Sequence, residues 1–186
     1  MSATTEVTGH ETPIPGLLIF DVTRVGDDRG YFQEKFQQAK LRAAGLPEDF
    51  AVVQNNISYN KEPGVTRGLH AEPWEKYISV VSGKVFCAWC DLRAGDSFGT
   101  VFYTELTAEK TAFIPRGVAN GYQALEPEVI YSYLVNAHWS ADAQYQSVQM
   151  FDPTLQIPWP VSQSDATVSE KDLANPLLAD VKPMEF

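Results

Sequence analysis

Tyr77-Ile78-Ser79-Val80-Val81-Ser82-Gly83-Lys84-Val85-Phe86-Cys87-Ala88-Trp89-Cys90-Asp91-Leu92 is the stretch that decides the fold class. Two β-rich segments, Tyr77 to Val81 and Val85 to Leu92, are separated by the turn signal Ser82-Gly83-Lys84. The pattern continues outward on both sides. Leu17 to Val22 and Ala51 to Tyr59 come before it; Thr100 to Leu106, Thr111 to Ile114 and Glu128 to Asn136 come after. Further turn signals divide the segments at Asp27-Asp28-Arg29-Gly30, Glu62-Pro63-Gly64, Arg93-Ala94-Gly95-Asp96 and Pro115-Arg116-Gly117. Short strands at this spacing make a sandwich or barrel. The one convincing helical stretch, Glu34 to Ala44, leaves no strand-helix rhythm for a parallel α/β sheet, so the chain reads as all-β.

The 186 residues fit a single domain, 1–186, and a hydrophobic content of 44% is enough to build its core without covalent staples. Residues 1–15 read as an N-terminal arm that either supplies an exchanged strand or stays outside the fold. From Asp152 the composition turns to prolines and polar spacers. The tail 152–186 is expected to pack along the barrel, with a short helix near Ser169 to Leu173 capped by Ser169. The strand alternation puts the two cysteines, Cys87 and Cys90, on opposite faces, which argues for core packing and against a disulfide.

No apolar run approaches the roughly 20 residues that cross a bilayer, and the N-terminus lacks the basic and apolar regions of a secretory signal. The expected location is cytoplasmic, with no membrane partner. A net charge of -10 argues against a nucleic-acid polymer or an anionic membrane as partner, and requires a local basic pocket for any anionic small ligand.

Arg67-Gly68-Leu69-His70 carries the strongest chemical signal, because it sets one of three histidines beside an arginine in a segment that reads as a strand end. An imidazole titrating near neutrality suits proton abstraction. His10 lies in the polar arm, and His138 follows the Val-Ile-Tyr-Ser-Tyr-Leu-Val strand pattern elsewhere. With no His-x-His and no second ligand pair, a first-row metal has too few imidazoles, so no metal site is read. Gln54 and Asn56 share one strand face while Val53 and Ile57 share the other; a polar ligand and a solvated face account for the two amides equally well. Tyr131 and Tyr133 also share a face, where simple packing is the plainer reading.

The order of motifs is recognisable. Asp27-Asp28-Arg29-Gly30-Tyr31-Phe32-Gln33-Glu34, Val53-Gln54-Asn55-Asn56, Arg67-Gly68-Leu69-His70, Lys76 ahead of Val80-Val81-Ser82-Gly83, Asp91-Leu92-Arg93, Phe98-Gly99, Ile114-Pro115-x-Gly117, Tyr133 and Val168-Ser169-Glu170-Lys171-Asp172 follow one another collinearly. Together they resemble the dTDP-4-dehydrorhamnose 3,5-epimerase family of nucleotide-sugar enzymes. The resemblance implies a cupin-type jelly roll, a homodimer, and an isomerase that inverts carbons beside the keto group of a dTDP-linked 4-keto sugar with no metal or organic cofactor. It implies His70 as base, Asp172 as the group fixing its tautomer, Lys76 as the charge near an enolate oxygen and Tyr133 as the acid on the other sugar face. Tyr133 is favoured over Tyr131 because the segment from Tyr133 to Asp142 then aligns with the family without a gap. Arg29, Glu34, Gln54, Asn56 and Arg67 match family positions around nucleotide, diphosphate and sugar, and His138 with Trp139 falls where aromatic residues pack on the base.

Two segments depart from the family pattern. Where members typically carry Ala-His-Gly-Phe, this chain reads Ala119-Asn120-Gly121-Tyr122. Asn120 donates a hydrogen bond to a keto or enolate oxygen but carries no transferable proton near neutral pH. Ala71-Glu72-Pro73-Trp74 replaces the usual Tyr-Gln pair and puts a new carboxylate, Glu72, near the base. These changes fit a specialised branch acting on a modified 4-keto-6-deoxy sugar, as in natural-product deoxysugar pathways, in which one carbon only, C3 or C5, is inverted in place of both. Two other readings stand beside it: a catalytically lapsed cupin that binds a nucleotide sugar, and a related keto-sugar isomerase.

Overall fold

The computed structural model describes residues 5–186. In chain order it contains β1 (Val7–Glu11), β2 (Leu18–Val22), β3 (Arg24–Asp27), β4 (Gly30–Gln33), α1 (Gln38–Ala43), β5 (Gln54–Asn60), β6 (Thr66–Ala71), β7 (Lys76–Ser82), β8 (Val85–Asp91), β9 (Val101–Leu106), β10 (Lys110–Ile114), β11 (Val118–Ala124), β12 (Val129–Val135), β13 (Gln146–Ser147) and α2 (Glu170–Leu173). Two antiparallel sheets face one another as a jelly roll of the cupin type. One runs β1-β2-β10-β7-β12-β5 and the other β13-β6-β11-β8-β9, while β3 and β4 form a separate hairpin. Among the described residues no helix is long and apolar enough to cross a membrane.

Burial follows from these layers. Ile19, Ile78, Val80 and Tyr131 of the first sheet meet Val85, Cys87, Trp89, Val118 and Tyr122 of the second in the inter-sheet core. Every residue of β8 and β11 is buried, because the outer face of the second sheet is also covered. There Leu69, Ala88, Cys90 and Ala119 pack under Val148, Met150, Leu155, Val181 and Met184. Cys87 and Cys90 thus enter different cores, as the alternation predicts, and both are free thiols. Burial pushes the Cys90 thiol up to about 12, with Asp91 and Asp152 adding to the effect. A third cluster joins Leu41 and Leu46 to Phe20, Phe50, Tyr77 and Phe113 on the outside of the first sheet.

Several elements differ from the sequence expectation. The helix begins at Gln38, since the Gln37 side chain accepts from Lys40 N and the preceding residues are drawn into other contacts, including Glu34 with Thr5 and Lys40. His10 sits in β1, paired with β2 in its own chain, and its Nε2 lies 2.8 Å from Asp21 Oδ2. Residues 1–4 of the expected arm fall outside the described residues. Arg67 and His70 lie inside β6 rather than at a strand end. The small, polar segment Val118–Ala124 forms β11 although its composition gives a weak strand signal, because pairing with β6 and β8 and cover on both faces override local preference.

β6 and β11 approach so closely that both need glycine. A Cβ on Gly68, at φ +119°, would stand 2.5 Å from Gly121 Cα and 2.7 Å from Asn120 O; one on Gly121 would stand 2.7 Å from Arg67 O. The register shifts between Asn120 and Tyr122, leaving Asn120 directly opposite His70. Gly121→Ala is therefore expected to cost about 3 kcal/mol, the upper range for overpacking against backbone, as read from the urea unfolding midpoint.

Candidate active site

Strand alternation on the two facing sheets aims a particular set of side chains into one cleft with an inner and an outer part. The inner cavity, about 240 Å³, is lined by Ser58, Arg67, His70, Glu72, Lys76, Asn120, Tyr122, Tyr131, Tyr133 and Asp172, with Gly68 and Ile78. The outer cavity, about 460 Å³, is lined by Gln54, Asn56, Trp74, Trp139, Tyr145, Gln146, Ser147, Lys171 and Asn175, with Val135 and Ala141, and it shares His70, Glu72 and Tyr133 with the inner one. Gln54, Asn56 and Ser58 alternate inward along β5 while Asn55, Ile57 and Tyr59 face out, so the two amides belong to the cleft rather than to a solvated face.

On the second sheet, His70 Nε2 meets Asp172 Oδ1 at 2.7 Å. Ser169 caps α2 and accepts from Asp172 N at 3.1 Å, which fixes the first turn from which the carboxylate projects. The Gly68 N–H donates to the second oxygen, Oδ2, at 3.4 Å. Burial works against this carboxylate, but the hydrogen bond and charge of His70, then the Gly68 N–H and Ser169, outweigh it and hold the group below its ordinary value of 3.8. An ionised carboxylate only accepts, so the shared proton belongs on Nε2 and leaves Nδ1 with the lone pair.

The first sheet supplies the opposite wall. Tyr133 on β12 borders both cavities and pairs with Ile78 of β7 and Asn56 of β5. Burial and then the Glu72 charge raise its phenol, against Arg67, so it keeps its proton at neutral pH. Tyr131 is buried at the wall of the inner cavity, stacks on Tyr122 at 4.1 Å, and donates to Asn120 Oδ1 at 3.0 Å, so its hydroxyl is already engaged. The Arg67 Nε donates to Asn60 Oδ1 at 3.0 Å, and Lys76 Nζ bonds Glu72 Oε2 with side-chain exposures of only 8% and 16%. Arg67, Lys76 and Lys171 thus line the cleft beside the carboxylates Glu72 and Asp172, and with Lys76 paired to Glu72 the cations left for an anionic ligand are Arg67 and Lys171.

His70, Asp172, Lys76, Tyr133, Gln54, Asn56, Arg67, Asn120 and Trp139 all converge on the cleft. Trp139 is placed there by its backbone N–H, which donates to Gln54 Oε1 at 3.1 Å. Three other sequence candidates do not reach it within the chain. Arg29 stands exposed at the β3–β4 turn against Asp27, Glu34 pairs with Lys40, and His138 is exposed outside both cavities. Sequence reasoning did not select Trp74 and Tyr145, which meet edge to face at 5.4 Å in the outer wall, nor Lys171, Gln146, Ser147 and Asn175. Lys171 had a signal, being the neighbour of Asp172 in the same motif; the Trp74–Tyr145 pairing had none. Among the described residues no group of three or more His, Cys, Asp or Glu converges as a metal site.

A sequence model described as dTDP-4-dehydrorhamnose 3,5-epimerase matches residues 11–180. A Streptococcus pyogenes protein named Protein RmlC homolog is 51% identical over 178 residues, covering 92% of this chain and 89% of that protein. A dTDP-4-dehydrorhamnose 3,5-epimerase of Methanothermobacter thermautotrophicus is 35% identical over 170 residues, covering 87% of this chain and 89% of its own. The crystal structure of RmlC from Streptococcus suis in complex with dTDP-D-xylose superposes with a TM-score of 0.91 at 46% identity, covering 96% of this chain and 95% of that one.

The Asp172 geometry sets a pH dependence of stability. A carboxylate held below its unfolded value contributes stability that is present above that value and lost as pH falls through the native one. The difference in urea midpoint between the parent and Asp172→Asn is expected to be full at about pH 6 and to shrink below about pH 4.

Proposed function

Because this chain belongs to the dTDP-4-dehydrorhamnose 3,5-epimerase family, we propose that it is an isomerase that inverts C3, C5 or both in a dTDP-linked 4-keto-6-deoxyhexose. The observation that carries the reading is the placement of an oriented imidazole, His70 on Asp172, on one wall of the inner cavity and a protonated phenol, Tyr133, on the facing wall. Inversion requires a proton to leave one face of a carbon and return to the other, and two opposed walls meet that demand without moving the sugar between sites.

The C4 ketone acidifies hydrogens on C3 and C5. His70 Nδ1 takes one, the electron pair moves into an enolate, and the negative charge settles on the C4 oxygen. Asp172 stabilises the imidazolium so formed, while Lys76 and the Asn120 amide offer positive charge and a hydrogen bond to the oxygen. Tyr133 then donates its proton to the carbon from the opposite side. The outer cavity, with Gln54, Asn56, Trp139, Trp74 and Tyr145, takes the nucleotide, and Arg67 the diphosphate; the dTDP-D-xylose bound by the Streptococcus suis protein supports a dTDP-linked sugar as the ligand. Asn120, lacking a transferable proton, favours inversion at one centre over two.

The reading includes a homodimer. Arg29, Tyr31 and Phe32 are exposed on the β3–β4 hairpin, away from the chain's own cleft, and Ile57 and Tyr59 are exposed on the outer face of β5. A second copy would cover these apolar side chains and bring the hairpin within reach of a neighbouring cleft. Sedimentation is expected to give twice the chain mass, and Ile57→Asp to give the monomer.

Proton NMR of dTDP-4-keto-6-deoxyglucose in deuterated buffer tests the chemistry. The parent is expected to lose the C3 signal, the C5 signal or both, His70→Ala to slow that loss by about a thousandfold, and Tyr133→Phe to exchange without efficient inversion. Persistence of both signals with the parent, with the nucleotide sugar still bound, would favour the lapsed binder.

A further inference from the structure

Glu72 is the one carboxylate among the described residues that borders both cavities. It stands in the turn between β6 and β7, between the proposed base and Lys76. The turn is held from several sides. Gly117 N–H donates to the Glu72 carbonyl at 2.9 Å, Glu75 N–H donates to Asn136 Oδ1 at 2.9 Å, and Asn136 Nδ2 donates to Glu75 Oε2 at 2.9 Å. Trp74, inside the turn, packs edge-on to Tyr145. The Glu72 side chain is therefore presented from a fixed backbone, and its Oε2 takes the hydrogen bond of an almost fully buried Lys76 ammonium.

We propose that Glu72 is a positioning residue for the epimerisation, fixing the Lys76 ammonium at the junction of the two cavities and placing a negative charge beside Tyr133. This rests on the function proposed above. With its Oε2 bound to the Lys76 ammonium, and with His70 held by Asp172 as the base, Glu72 is assigned to act through its neighbours rather than on the sugar carbon. A lysine on a flexible four-carbon stem is a poorly directed point charge, and a buried partner removes that freedom before substrate arrives.

The charged and titratable groups around Tyr133 are Glu72 from the turn, Arg67 and His70 from β6, Lys76 from β7, Tyr122 from β11, Tyr131 from its own strand and Asp172 from α2, and across the outer cavity Lys171 from α2 and Tyr145. Burial is the first cause that raises the Tyr133 phenol and Glu72 the second, with Arg67 opposing. The same carboxylate acts in the same direction on Tyr131 and Tyr145. The sign follows: removing the Glu72 charge lowers Tyr133, so the acid form is lost at a lower pH.

The test is the pH profile of inversion in dTDP-4-keto-6-deoxyglucose, the step that draws on Tyr133, for the parent, Glu72→Gln and Glu72→Asp, with thermal unfolding as the fold control. Glu72→Gln is expected to lose about tenfold or more in kcat with little change in KM, and its alkaline limb to move to lower pH. Glu72→Asp keeps the charge but displaces Lys76, so its kcat should fall between the other two while its alkaline limb stays with the parent. Parent-like kcat and limb in Glu72→Gln overturn the inference alone. Should Glu72→Gln fail to fold, a shifted limb in Glu72→Asp overturns it. A parent that exchanges neither hydrogen removes the function on which the inference rests.

Discussion

The contact on which the site depends is the packing of the C-terminal segment over the outer face of the five-stranded sheet. Val148, Met150, Leu155, Val181 and Met184 seal Leu69, Ala88, Cys90 and Ala119 from water. Burying several such side chains is worth about 1.5–3 kcal/mol each, an upper estimate that still makes this layer part of the fold's foundation. The same segment is stitched to β6 by Thr66 N–H to Thr167 O at 2.9 Å and Thr167 N–H to Gly64 O at 3.0 Å. That stitch delivers Asp172 to His70 across 102 residues of sequence. Orientation of the imidazole is thus a product of hydrophobic cover and backbone pairing, neither of which touches the cavity.

The two walls of the cleft are built by different means. On the second sheet, two glycines allow β6 and β11 to press together and set Asn120 opposite His70. On the first, β5 turns polar side chains inward and leaves Ile57 and Tyr59 outside, the reverse of an ordinary core strand. The interior is accordingly graded. Away from the mouth it is filled by Trp89, Val80 and Leu106; towards the mouth, beyond Ile78, amides, hydroxyls and charges replace them. A jelly roll suits this division because period-two alternation lets one strand serve both regions.

How far the sequence disclosed this arrangement depended on how local each signal was. β7 and β8 were legible because β-branched and aromatic residues coincide with a glycine turn. β11 was not, since Ala119, Asn120 and Gly121 have no strand preference and are held by neighbours on both sides and both faces. His70 was legible as one of few imidazoles. Asp172 was legible only through the resemblance, because an acidic residue three after a serine reads as a helix cap and its turn toward β6 is long-range. The expected inward direction of Gln54 and Asn56 was undecided on the strand alone, and burial of one face settled it. Arg29 and Glu34 matched by position yet lie apart from the cleft within the chain, a separation that strand spacing cannot reveal.

The tryptophans divide in a way that has a practical meaning. Trp89 is sealed between the sheets, stacked on Phe102, and Trp159, part of the C-terminal cover and half-buried, packs against Phe86 and Phe151. Trp74 and Trp139 line the outer cavity, and Trp139 is 66% exposed. Two indoles therefore have packed surroundings, Trp159 with its N–H on Met150 O at 2.8 Å, while the other two stand where the proposed nucleotide would displace water. If the proposed nucleotide binds there, the chain carries its own optical gauge: the emission of the two outer indoles should change with the number of occupied clefts, over a background from the two packed ones, without any attached dye.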